Sequence, residues 1–174
     1  NKLIVETSIE IEVKRFMITF YDFSHLSKEV WEEGKFVSLE AYTDFEDERE
    51  YFIEGSINNN LFIGSGMDGK IESSLNTIPS NFWNIEVMKQ SEIFDTQKGI
   101  IRKLEVKKNG IEKIEYKNQM IDCQKFLLNA SSNPKDKGPF PEYTLWYNQE
   151  NDELLKFKFK NWKDNKIITI LRKD

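Results

Sequence analysis

Residues 28–43 read KEVWEEGKFVSLEAYT, and they hold the pattern on which the rest of the chain is built. Two amphipathic segments flank Glu33-Gly34, a pair suited to a tight turn. Successive side chains of a strand point to opposite faces, so Glu29 and Trp31 share one face while Val30 takes the other. In the second segment Val37, Leu39 and Ala41 share a face opposite Ser38 and Glu40. The unit is a β-hairpin, and most of the chain repeats it.

Upstream, Leu3, Val5, Ile9, Ile11 and Val13 alternate with Glu6, Ser8, Glu10, Glu12 and Lys14, as in a strand with one face in water. Phe16 to Phe23 is almost continuously apolar and leads through Ser24 and His25 into the hairpin. It reads as a strand covered on both faces or as an exposed edge. Downstream, strands are predicted at 50–56, 61–64 and 70–74, with Met67-Asp68-Gly69 as a turn. Residues 101–107 and 111–117 are predicted to pair around Lys108-Asn109-Gly110, because Asn-Gly suits a primed hairpin turn. A strand at 120–130, a loop with three prolines at Ser131–Pro141 and a meander at 143–147, 154–160 and 166–171 complete the pattern.

The period of two breaks at Thr77–Gln90, TIPSNFWNIEVMKQ. Pro79 and Ser80 can start a helix there, with Phe82, Ile85 and Val87 or Met88 as its apolar stripe. A strand fragment, Ile93-Phe94-Asp95, follows. The predicted class is mainly all-β: a strongly curved antiparallel meander sheet or partly closed barrel with one short helix.

The 174 residues fit a single domain over 1–174. With 13% aromatic residues and four prolines the chain has the means to build a core, despite 32% charged residues. A net charge of -5 gives no reason to expect a nucleic-acid surface. Charge is unevenly spread, acidic from Glu29 to Glu54 and basic from Lys156 to Lys173. Such regions neutralise each other within one fold or mark a partner surface or self-association. No apolar run approaches the ~20 residues of a membrane-spanning helix. A transmembrane barrel conflicts with the charges on both faces of Glu46–Glu50 and with the missing aromatic girdles, so a soluble protein is expected.

No catalytic motif, metal cluster or phosphate loop is found, and neither catalytic residues, a metal nor a cofactor is assigned. Cys123, between Asp122 and Gln124, reads as a half-buried small residue, since no histidine adjoins it to activate a thiolate. The single histidine, His25, reads as a surface or half-buried residue. Glu29 and Glu40 on neighbouring strands form a carboxylate pair, either a solvated face or the acid and base of a hydrolase. Asp44, Glu46, Asp47 and Glu48 lack the glycine and spacing of a calcium loop.

The aromatic residues are more suggestive. Trp31, Trp83, Trp146 and Trp162, with Phe82, Tyr147 and the Phe16–Phe23 run, can line a cavity on a curved sheet. Glu29 beside Trp31 can hold an amphiphile by its apolar body and orient its polar head, or the indole N–H simply bonds a neighbouring carboxylate or carbonyl in the core. Asn81 and Asn84 can point into such a cavity or cap the short helix. The candidate ligand-binding residues are therefore Glu29, Trp31, Phe82, Trp83, Asn84 and Trp146. In 154–160, Lys156, Lys158 and Lys160 alternate with Leu155, Phe157 and Phe159. This lysine ladder reads as protection of an edge strand or as an anion-binding stripe.

EVWEEGKFVSLEAYTD at 29–44, PSNFWN at 79–84, FDTQKG at 94–99 and LWY at 145–147 together resemble an uncharacterised family of exported bacterial proteins, the domain of unknown function 6134, related in kind to domain of unknown function 3108. The resemblance implies a periplasmic or secreted, mostly antiparallel β protein with a strongly curved sheet similar to lipoprotein carriers. It implies no activity. It also implies a further hairpin ahead of Leu3–Val13, whose absence here would leave a sheet edge for another molecule. The expected function is non-enzymatic: an envelope or periplasmic protein that binds a lipid or other amphiphile on a concave aromatic face. The alternatives are an interaction subunit of an envelope assembly that uses its sheet edges, and a carboxylate-dependent hydrolase.

Overall fold

The computed structural model describes residues 1–15, 18–45, 49–74, 76–136, 139–161 and 165–173, and of 13–15 and 18–21 the backbone alone. The strands are β1 (Lys2–Arg15), β2 (Ile18–Glu32), β3 (Lys35–Phe45), β4 (Arg49–Asn58), β5 (Leu61–Gly66), β6 (Gly69–Ser73), β7 (Glu92–Asp95), β8 (Ile100–Tyr116), β9 (Gln119–Ala130), β10 (Tyr143–Asn148), β11 (Leu154–Lys160) and β12 (Ile167–Leu171). A 3-10 helix spans Ile85–Lys89 and is the short helix of the sequence. It is too short to cross a membrane, as is every helix among the described residues.

The protein is all-β and antiparallel, as the hairpin pattern predicts, and one of its sheets curls strongly into a half-barrel. The strands divide between two six-stranded meanders, β1 to β6 and β7 to β12, rather than forming one large sheet. The chain also divides into two compact units: unit 1 is Asn1–Ser80 with Phe94–Ile101, and unit 2 is Asn81–Ile93 with Arg102–Asp174.

In unit 1 the β2–β3 hairpin turns at Glu33 and Gly34, whose φ values of 51° and 77° suit a primed turn. His25 faces Thr43, Ser27 faces Ala41 and Glu29 faces Leu39 across the pair. Val30 then pairs with Ser38 but Trp31 with Phe36, so Val37 is the extra residue of a bulge. Phe36 in consequence joins Leu39 in the core, while Val37 is only half-buried. The aromatic core runs from Trp31 to Phe36 (ring centroids 5.6 Å apart), on to Phe62 (6.0 Å) and to Phe94 (4.8 Å). Gly55 and Gly64 face each other across β4 and β5, and the Phe62 and Phe94 rings fill the space their side chains would take. The edge strand β1 alternates as expected, with Val5, Ile9 and Ile11 half-buried. Leu3 and Ile4 at its start are exposed.

Unit 2 departs from the sequence reading at Asn109-Gly110. The predicted hairpin does not form there: β8 runs without interruption through both residues. Lys108 pairs with Phe126 and Ile111 with Gln124, so two residues of β8 oppose Lys125 alone. The positive φ of Gly110, 77°, serves a bulge instead of a turn. Gln124 Nε2 donates to the Gly110 carbonyl at 2.6 Å and secures it. The reversal comes later, at Lys117 and Asn118, both with positive φ.

The lysine ladder is also not an edge, because β11 lies between β10 and β12. Cys123 is fully buried rather than half-buried, in a cluster with Ile114, Trp146 and Leu155. Burial raises its thiol pKa. The Ser131–Pro141 loop is held by Arg102, whose guanidinium donates to the Ser131 carbonyl (2.8 Å) and the Asp136 carboxylate (3.0 Å). Arg102 also lies over the Phe140 ring, 4.8 Å from its centroid.

Candidate functional site

The six sequence-predicted residues are split between the units: Glu29 and Trp31 lie in unit 1, and Phe82, Trp83, Asn84 and Trp146 in unit 2. Glu29 and Trp31 are both buried, and the Trp31 indole N–H donates to Glu29 Oε2 at 2.7 Å. The core alternative for this pair therefore describes its geometry. Asn84 caps the 3-10 helix, its side-chain oxygen accepting from the Glu86 N–H at 3.0 Å. Trp83, in the turn before that helix, is 36% exposed.

Phe82 belongs to a larger aromatic face. Tyr143 is at its centre, with ring centroids 4.8 Å from Phe82, 5.6 Å from Phe140, 6.4 Å from Phe157 and 5.5 Å from Phe159. All five rings are half-buried. The register explains their convergence: Tyr143 pairs with Phe159 and Leu145 with Phe157, so alternate residues of β10 and β11 present one face. Phe82 is anchored to that face because Tyr147 Oη, buried beneath it, donates to the Phe82 carbonyl at 2.8 Å. The alternation of Phe157 and Phe159 was visible in the sequence. Phe140 carried no such signal, since it sits in an irregular loop.

Trp146 lies on the opposite face of β10 and is buried. Lys156, Lys125 and Lys158 place their ammonium groups 4.6, 5.3 and 5.4 Å from its ring centroid. Lys125 also bonds Glu112 at 3.1 Å. The Glu112 carboxyl is held below the usual range, first by the Trp146 N–H and then by Lys125. That N–H nevertheless makes no hydrogen bond of normal geometry to any described residue.

His25 is fully buried, contrary to the surface or half-buried reading. Its Nδ1 lies 2.8 Å from Thr43 Oγ1, while Nε2 has no partner among the described residues. Desolvation lowers its pKa to about 4, opposed by the nearby Asp95 charge. The carboxylate pair named from the sequence does not converge, since Glu29 is buried and Glu40 is exposed on the other side of its strand. Trp162, Phe16, Glu46, Asp47 and Glu48 lie outside the described residues.

Among the described residues, open hollows occur in unit 1. One of about 540 Å³ lies between the β2–β3 turn and Asn1, and one of about 510 Å³ lies beside Leu26 and Tyr42. Neither is lined by Trp31. Next to the second, Tyr42 packs against Phe52 with tilted rings whose centroids are 4.9 Å apart, and Phe52 is 75% exposed.

No curated protein and no solved structure matches the chain. The family model of a domain of unknown function, DUF6134, matches residues 1–172, and the chain belongs to that family.

Proposed function

We propose that this chain is a non-enzymatic binding protein of the bacterial envelope or periplasm that takes an apolar or amphiphilic molecule onto the aromatic face of unit 2. The observation that carries this reading is the cluster of Phe82, Phe140, Tyr143, Phe157 and Phe159, five rings in mutual contact that remain half-exposed. A cluster already ordered by its own contacts gains about 25 cal/mol for each Å² it buries against a ligand and loses little side-chain entropy on binding. Trp83, next to Phe82 in the chain, is exposed as well. The envelope setting is supported by the resemblance to exported proteins.

Native mass spectrometry of gently purified protein, with organic extraction of whatever is released, tests this reading. A stoichiometric amphiphile that is lost in the Phe157→Ser, Phe159→Ser double variant supports it. An empty protein that also fails to take up added fatty acid overturns it.

A second reading, an interaction subunit, is favoured by the unit 1 patch of Phe52, Tyr42 and Leu26 and by the place of β1 at the end of its sheet. A concentration-dependent dimer in sedimentation that is abolished by Phe52→Ser supports this one, and a monomer at all concentrations removes it.

A further inference from the structure

We infer that the β9–β10–β11 surface around Trp146 binds a tetrahedral oxyanion, free phosphate or the phosphate of a lipid headgroup, through Lys156 and Lys158. The site lies on the face of β10 opposite Tyr143 and Leu145, so it is distinct from the aromatic face.

Three ammonium groups meet there within 5.4 Å of one indole centroid. Such convergence is unfavourable in itself, because like charges in partly buried surroundings repel. Cation–π attraction to the indole offsets part of that repulsion. The carboxylate of Glu112 offsets another part, through Lys125 at 3.1 Å. One carboxylate against three ammoniums leaves two positive charges, and neither Lys156 nor Lys158 has a salt bridge to a described residue.

A role in protecting a sheet edge does not account for these lysines, since β12 covers β11 on its outer side. The register sets them around the ring: Lys156 directly opposite Trp146, Lys158 opposite Thr144 and Lys125 opposite Trp146 from the other strand. Both β11 lysines are half-buried, unlike the exposed Lys160 of the same row. Independently of the lysines, the buried Trp146 N–H is directed at Glu112 yet makes no hydrogen bond of normal geometry to any described residue, so it has donor capacity to spare. An oxyanion supplies what the arrangement lacks, namely negative charge and acceptor oxygens.

Calorimetric titration of the whole chain with inorganic phosphate, alongside flotation with phosphatidylcholine vesicles with and without phosphatidylglycerol, tests the site. Saturable one-to-one phosphate binding that weakens at least ten-fold in Lys156→Gln, Lys158→Gln and is unchanged in Lys160→Gln establishes a free-oxyanion site. Flotation that requires phosphatidylglycerol and is lost in the same double variant, without phosphate binding, establishes a headgroup site. Glu112→Gln removes the competing carboxylate and should tighten either interaction several-fold, which keeps the test independent of the double variant's stability. Absence of both interactions, or equal losses in the double variant and Lys160→Gln, overturns the inference.

Discussion

Glu29 accepts the indole N–H of Trp31, two residues further along the same strand, at 2.7 Å, with both side chains out of water. A buried carboxylate bonded to a donor on its own strand is one part of a polar interior, and removing either member takes a hydrogen bond from the other where no water replaces it. Glu29→Ala is expected to destabilise unit 1 by about 2 kcal/mol or more, and Glu29→Gln, which keeps an acceptor, by less. Denaturant unfolding followed by tryptophan fluorescence measures both. Equal losses in the two variants would show that the hydrogen bond is not what the carboxylate contributes.

His25 makes stability depend on pH. Its pKa of about 4 in the folded chain lies below the 6.5 of an ordinary histidine. The unfolded chain therefore binds the proton more readily, and protonation favours unfolding. The sign is such that the contribution is fully present above about pH 6.5 and is lost as pH falls towards 4, at about 1.4 kcal/mol per pH unit and roughly 3 kcal/mol in all. Unfolding midpoints at pH 7, 5.5 and 4.5 should fall in that order. His25→Asn should flatten the part of the slope that histidine supplies, leaving the carboxylates to act lower down.

Gly55 and Gly64 are expected to reject alanine. An added Cβ would lie 2.9 Å from the Phe62 ring at Gly55 and 2.8 Å at Gly64. Phe62 is fully buried and itself packed on Phe94, so it has nowhere to move. Each substitution should cost about 1–3 kcal/mol by overpacking. Phe62→Leu in the Gly64→Ala background should restore part of the loss, and thermal unfolding of the single and double variants reads the coupling.

The Arg102–Asp136 pair joins stability to the aromatic face. Both side chains are almost completely buried, and Arg102 also lies over Phe140, one of the rings in contact with Tyr143. Asp136→Ala removes the carboxylate paired with a buried guanidinium, a change that costs about 3–5 kcal/mol when such a pair is broken. Proteolysis within Ser131–Pro141 should quicken in this variant. Amphiphile uptake, where it occurs, should weaken with it, whereas Asp122→Ala, which breaks the exposed bridge to Lys113, should alter neither.

Side-chain alternation made β1, the β2–β3 hairpin and β11 legible, because a strand with one wet face must repeat every two residues. Turn chemistry was a poorer guide. Asn109-Gly110 has the composition of a hairpin turn and forms a bulge, since the same positive φ serves both and only the pairing with β9 chooses between them. Lys117-Asn118 turns the chain with less favourable residues because its flanking strands already fix the register. Of the candidate site, Phe82 and the aromatic alternation of β11 could be read in advance. The burial of His25 and the gathering of Lys125, Lys156 and Lys158 over Trp146 could not.

The all-β class, the order of most strands and the shared face of Glu29 and Trp31 were readable from the residues alone, because they follow from a period of two along one strand. Which strands share a sheet, that β11 is interior rather than an edge, and that three lysines surround one indole emerge with the folded chain. Those are relations between strands. They depend on register and on the bulges at Val37 and Gly110, where one added residue shifts every later pairing, and no periodicity within a strand encodes them.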